Sequence, residues 1–358
     1  MAKLFGNQFT KRELLSRMGE VSQVAGISEG MLIGSNGTGV RTADFRTGSG
    51  LNFTVLPGRG MDIAQCDYKG MPLAWMSPAG VTSPMYYEEP GDGWLRGFIG
   101  GLLTTGGMTY CGSDCVDKGE ALGVHGRSSN YTAEDVGIER EWIENEYQLS
   151  IKGKIRQAAL YKENLRLSRT ISARMGESIV KISDTIENMG FDEQPLMMLY
   201  HINFGWPVVS ENSRFVASCK KTIPRPGQVE AENEPSLFAE FTKPETGYIE
   251  RCYYHHLQGD KEGNTMAMLA NDELGLGVYV KYNINQLFNL VEWKQMSSGI
   301  YAVGIEPTNC YLEGRNKSRE DGTLQFIKPG EIRTFEVEIG VLDGINEIKQ
   351  REDIINNL

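Results

Sequence analysis

From about residue 138 onward the hydrophobic positions recur every second residue. Tyr147, Leu149, Ile151 and Ile155 alternate with polar neighbours, followed by Leu165, Leu167 and Ile171 and then by Val180, Ile182 and Ile186. A period of two puts alternate side chains on opposite faces of a strand. Short gaps between these runs, and the turn Asn188-Met189-Gly190 after the third, predict an antiparallel meander. Further strands are predicted at Met266 to Ala270, Leu276 to Tyr282, Leu287 to Trp293 and Phe335 to Val341, the last entered through the turn Lys328-Pro329-Gly330-Glu331. A short helix is predicted over residues 10–18, where Thr10 and Glu13 make a capping-box signature ahead of Leu14, Leu15 and Met18, and helical periodicity nearly disappears after it. Strands do not alternate with helices of a dozen residues, which argues against a parallel α/β sheet. The expected fold class is mainly all-β: a large antiparallel β-sandwich with a short N-terminal helix.

Composition changes this picture little. The 358 residues include 42 Gly against 13 Pro, which suits many tight turns between short strands. No repeat or composition shift marks a linker, and the polar stretch 224–236 reads as a long surface loop. Residues 1–358 are therefore expected to form one domain, with 1–25 as an N-terminal helical extension. A net charge of −11 without any basic cluster longer than two residues argues against nucleic acid or an anionic membrane as partner. The polar start and the lack of any apolar run of about 18 residues point to a cytoplasmic protein. The six cysteines are scattered, with only Cys111 and Cys115 close, and are read as reduced structural thiols rather than metal ligands or a disulfide.

Only four histidines occur, and each can be weighed. His125, between Val124 and Gly126, is either a tight-loop residue or a ligand-facing one. His201 and Asn203 share one face of a strand that follows the apolar run Leu196 to Leu199, and suit either a buried hydrogen-bond network or a site. His255 and His256 point to opposite faces, so at most one is functional. Glu306 interrupts the apolar segment Tyr301 to Ile305 and is followed by Pro307. Burial there would raise its pKa and fit a general base, although a plain strand terminus explains it too. Arg59 and Asp62, in Pro57-Gly-Arg-Gly-Met-Asp, form either a ligand-binding fork or a simple ion pair. Trp293-Lys294 offers an aromatic face beside a cation, as sugar sites do, or an ordinary core Trp.

Taken in order, His125-Gly126, His201-x-Asn203-x-Gly205, the Tyr/His segment around residue 254 and Gly304-x-Glu306-Pro307 resemble the galactose mutarotase (aldose 1-epimerase) superfamily. The resemblance is closer still to its aldose 1-epimerase-like branch with Pro-Gly-Arg-Gly-Met-Asp near the start, and covers roughly residues 50 to 342. It implies a mutarotase-type sandwich and interconversion of the α and β anomers of an aldose or related sugar. Glu306 would take the anomeric hydroxyl proton, His201 would protonate the ring oxygen, and His125 would assist or bind the sugar. Arg59, Asp62, Arg127, Asn203, His255, Trp293 and Lys294 are the expected substrate-binding residues. Where typical members carry Asp-His, this chain reads Tyr253-Tyr-His-His, which makes His255 the replacement ligand. Arg59, Arg127 and Lys294 also leave room for an anionic or modified sugar. No cofactor or metal is expected, and a homodimer is compatible with the reading. Two alternatives remain at this point: a metal-dependent sugar isomerase or lyase with His125, His201, His255 and Glu306 as ligands, and a noncatalytic carbohydrate-binding protein.

Overall fold

The alternating segments form three long strands, Glu146–Ala158, Asn164–Arg174 and Ile179–Asn188. Every second side chain along them is buried, and Ile171 pairs with both Ile151 and Ile182 across the antiparallel ladders. These strands belong to an eight-stranded sheet that begins at the edge strand Glu134–Ile143 and continues through Ile332–Asp343, Leu276–Asn283 and Asn264–Asn271 to Ser213–Ala217. A six-stranded sheet runs Cys219–Pro224, Arg251–Leu257, Asn289–Ser297, Ile300–Thr308, Met197–Gly205, Thr104–Met108, and a five-stranded sheet collects residues 26–72. All pairings within these three sheets are antiparallel. The computed structural model describes residues 1–358.

One hydrophobic cluster of 57 buried residues draws side chains from all three sheets. Met197–Gly205 is buried at every position, as expected of a strand covered on both faces. Its two faces differ in chemistry. Tyr200 donates to Asp184 Oδ2 of the eight-stranded sheet at 2.7 Å, and Arg169 grips the same carboxylate through Nε and Nη2 at 2.8 and 2.6 Å. His201 faces the other way, toward loops that cover the six-stranded sheet.

Three expectations are corrected. The helix Lys11–Leu15 forms with the Thr10–Glu13 capping box, but the segment before it is a hairpin of Ala2–Leu4 and Asn7–Phe9, closed by Phe5 and Gly6 at positive φ. Residues 1–25 are thus not a purely helical extension. Leu287 precedes the strand it was expected to start, which runs Asn289–Ser297. The stretch 224–236 contains the helix Val229–Asn233 rather than loop alone. A C-terminal helix, Ile345–Asn356, buries Ile348 and Ile355 against Met266, Met268 and Tyr279. No helix is long and apolar enough to cross a membrane.

Candidate active site

Strands Met197–Gly205 and Ile300–Thr308 pair with Ile202 opposite Ile305, which sets His201 opposite Glu306. On the other side Val291 faces Glu306 and Trp293 faces Gly304. Alternation then projects His201, Glu306, Val291 and Trp293 from the same face of the sheet. They line a cavity of about 540 Å³ together with His125, Trp94 and Phe98 from covering loops.

At its base Glu306 Oε1 lies 3.1 Å from His201 Nδ1. Neither atom has hydrogen-bond geometry with any protein group, although both are buried. Buried polar atoms normally find partners, so this pair stands ready for groups the protein does not supply. Burial, reinforced by Glu250 and opposed by Arg225, holds Glu306 well above the usual carboxylate range. Burial and the neighbouring His125 hold His201 well below the usual imidazole value, against the opposing effect of Asn203. The low-dielectric floor thus favours a neutral acid beside a neutral imidazole, with one proton between two bases.

His125 is held in the left-handed region, at φ 55°, on the loop that follows Gly123. Its N–H donates to Gly112 O at 2.9 Å and its carbonyl accepts from Gly107 N–H at 3.0 Å. The ring stands 5.8 Å from that of His201 and 4.8 Å from that of Trp94. Burial, aided by Arg225, depresses its pKa to about 3. Phe98 and Trp293 close around His201 at 5.0 and 5.5 Å between ring centroids. Flat aromatic walls around polar floor groups suit a ring with one apolar C–H face and hydroxyls at its edge.

Of the ten site residues read from sequence, the structure gathers four in this cavity: His125, His201, Glu306 and Trp293. The other six turn to the protein. Arg59 is buried and donates to Thr82 O and Gly97 O at 3.3 and 2.6 Å, tying down the loop that carries Trp94 and Phe98. Asp62 is not its partner in an exposed pair; it accepts from Thr105 N–H and Oγ1 and sits 3.5 Å from Arg169, all of it buried. Arg127 is bound to Glu89. Asn203 donates to Gly101 O and His201 O, at 3.1 and 3.0 Å, beneath the site. His255 projects from the opposite face of its strand, 2.9 Å from Glu292 and 2.9 Å from Thr222 Oγ1. Lys294 caps the carbonyls of Leu237, Phe238 and Glu240.

Sequence reading passed over Trp75, Trp94, Arg225 and Glu250, all of which line the cavity beside Phe98. Arg225 had a usable signal, a cation fixed between Pro224 and Pro226. It donates to Ser113 Oγ and Leu312 O at 2.5 and 3.0 Å, while Glu250 accepts from Trp293 Nε1 at 2.9 Å.

Comparison with solved structures shows what this fold is similar to. A Klebsiella pneumoniae protein described provisionally as an aldose 1-epimerase superposes with a TM-score of 0.87 at 23% identity, over 92% of this chain and 87% of that one. A galactose mutarotase-like protein from Clostridium acetobutylicum gives 0.62 at 15% identity, over 90% and 99%. Galactose 1-epimerase from Lactobacillus acidophilus gives 0.59 at 12% identity, over 89% and 99%. At these identities the likeness is one of fold: the chain shares the β-fold of these proteins. The chain belongs to the family described as Domain of unknown function (DUF4432), whose match spans residues 37–341. No curated protein matches it.

Proposed function

We propose that the protein is a sugar mutarotase of the aldose 1-epimerase kind, acting by acid/base opening and closure of the hemiacetal ring. The observation that carries this reading is the unpartnered pair Glu306 and His201, 3.1 Å apart on a buried floor. The anomeric hydroxyl and the ring oxygen share one carbon, so a base for one and an acid for the other must stand close together. Glu306 takes the proton from the anomeric hydroxyl as that oxygen's electrons form the carbonyl. The bond from C1 to the ring oxygen breaks, and His201 protonates the departing oxygen. Rotation about C1–C2 presents the other carbonyl face, and the same transfers run backward. Each proton transfer contributes about 10² to 10⁴ in rate. The pair carries one proton throughout: it rests on Glu306 in the free site, must cross the 3.1 Å to His201 before the closed ring reacts, and is on Glu306 again once the ring is open. His125 supplies a neutral hydrogen bond to the sugar, and the aromatic walls hold the ring between them. The chemistry calls for no cofactor.

A neutral sugar fits better than an anionic one. The cations behind the anionic expectation, Arg59, Arg127 and Lys294, do not line the cavity, and Arg225 is accompanied there by Glu250 and Asp114. The four ligands of the metal-dependent alternative do not converge, because His255 lies on the other face. Anomer exchange measured by NMR over neutral, deoxy and acidic sugars tests the proposal. Wild-type protein should accelerate exchange of at least one neutral sugar and Glu306→Gln should abolish it. Equal rates for the two proteins on every sugar would overturn it, and sugar binding without exchange would favour the noncatalytic reading.

A further inference from the structure

His125 has two ring nitrogens and one proton to place. Its Nδ1 meets a single side-chain partner, Cys111 Sγ at 3.4 Å, a normal length for a bond involving sulfur. Its Nε2 has no partner in the protein, and the ring lines the cavity. Which nitrogen carries the proton is therefore decided at Cys111.

The direction of that bond follows from the groups behind it. Thr308 Oγ1 donates to the Met198 carbonyl, which can only accept, at 2.7 Å. The Cys310 thiol lies 3.2 Å from the same hydroxyl, whose proton is already committed, so Cys310 donates there. Cys310 also neighbours Cys111, and with its proton engaged it can only accept from it. Cys111 is wholly buried, and burial, with Cys310 beside it, pushes its thiol well above the ordinary value, so it keeps its proton. That proton faces two acceptors: the sulfur of Cys310, which accepts weakly, and the imidazole nitrogen, which accepts strongly.

We propose that Cys111 is a positioning residue that donates its S–H to His125 Nδ1, thereby holding the ring proton on Nε2 as a fixed hydrogen-bond donor to the bound sugar. This rests on the mutarotase reading for its consequence, but not for its geometry. The backbone clamp on His125 from Gly112 and Gly107 sets where the ring lies; the thiol sets what it offers. A donor at Nε2 matches oxygen lone pairs of the sugar, whereas a lone pair there would face the ring oxygen with like polarity.

The test has a structural and a kinetic arm. In protein labelled with ¹⁵N-histidine at pH 7, the proposal predicts that His125 shows a protonated Nε2 and a bare Nδ1. Cys111→Ala should shift the ring toward a mixture of tautomers, while Cys111→Ser, which keeps a donor, should retain the wild-type pattern. For the sugar that wild type turns over best, Cys111→Ala should lose about 10- to 100-fold in exchange rate, by analogy with removal of the partner that orients a metal-ligating histidine. Cys111→Ser should recover most of it. A proton found on Nδ1 in wild type, or equal tautomer patterns in all three proteins, overturns the proposal. Equal loss in the Ala and Ser variants with an unchanged tautomer would reduce Cys111 to packing. Absence of exchange with every sugar would instead count against the mutarotase reading, because the ¹⁵N arm is read without any substrate.

Discussion

The Glu306 carboxyl folds back over Gly304, two residues earlier on the same strand face, so that a β-carbon at 304 would overlap Glu306 Oε1 and stand 3.1 Å from Trp293 Cβ. Glycine is required there by close approach rather than by backbone conformation.

Gly304→Ala should therefore disable the site without unfolding the protein. The added methyl must displace Glu306, and a misplacement of about 1 Å in a reacting group typically lowers rate about 10²-fold. Anomer-exchange rates should fall by that order while the far-ultraviolet spectrum stays that of wild type. An unimpaired Gly304→Ala variant would show that Glu306 has another workable position.

Stability should carry the signature of the same carboxyl. Burial, reinforced by Glu250, raises the folded-state pKa of Glu306 well above 4.5. The unfolded chain then ionises first, and folded-state stability is lost as pH rises above about 4.5 toward the folded value. Glu306→Gln has nothing to ionise. Its melting temperature should exceed that of wild type by a margin that widens from pH 5 to pH 8; a constant margin would contradict the buried carboxyl.

His255 predicts a second dependence, at higher pH. Burial alone would lower its pKa, but bonds to Cys219 and Glu292 more than offset this and raise it to about 9. A histidine raised in the fold contributes fully below its unfolded value, about 6.5, and loses that contribution as pH climbs through 9. The contribution at stake is about 3 kcal/mol. Urea unfolding between pH 6 and 9.5 should show the decline in wild type and a flattened one in His255→Gln, with anomer exchange in that variant retained at neutral pH.

Arg59 acts at a distance from the cavity. Arg59→Met would leave the carbonyls of Thr82 and Gly97 without their buried donor, a loss of about 3 kcal/mol for two charge-assisted bonds. Because Gly97 adjoins Phe98, KM should rise more than kcat falls. A variant with wild-type stability would mean that the two loops hold themselves.

Legibility of this protein from its sequence followed a physical divide. His201 and Glu306 were readable because each places a titratable group inside an apolar strand, and the twofold period assigns the pair a face. The three-stranded meander was readable for the same reason. His255, Lys294 and Asp62 are polar groups in apolar strands too, yet each turns away from the cavity to partners of its own: Glu292, the carbonyls of Leu237 and Phe238, and Thr105. Periodicity gives relative faces, not which face meets the cavity. Arg225 and Glu250 lie in polar segments whose composition matches solvent-exposed loop, and only the folding of those segments over the sheet brings them inward. The N-terminal hairpin depends on Phe5 at positive φ, a conformation its side chain does not advertise. The C-terminal helix had a signal in the spacing of Ile345, Ile348 and Ile355, but its stability comes from the sheet surface it covers.

The strand Asn289–Ser297 is a partition with different contents on its two sides. Val291, Trp293 and Gln295 line the cavity, while Glu292 and Lys294 engage partners behind it. A slip of one residue would exchange the two sets completely. It would send two charges into the cavity and push the indole among buried polar groups. Tolerance to insertion and deletion in this protein should therefore be sharply zoned: greatest in turns that carry no cavity residue, absent along the sheet that floors the site. Any transplant of the site into another scaffold would have to carry the hidden side of the sheet along with the visible one.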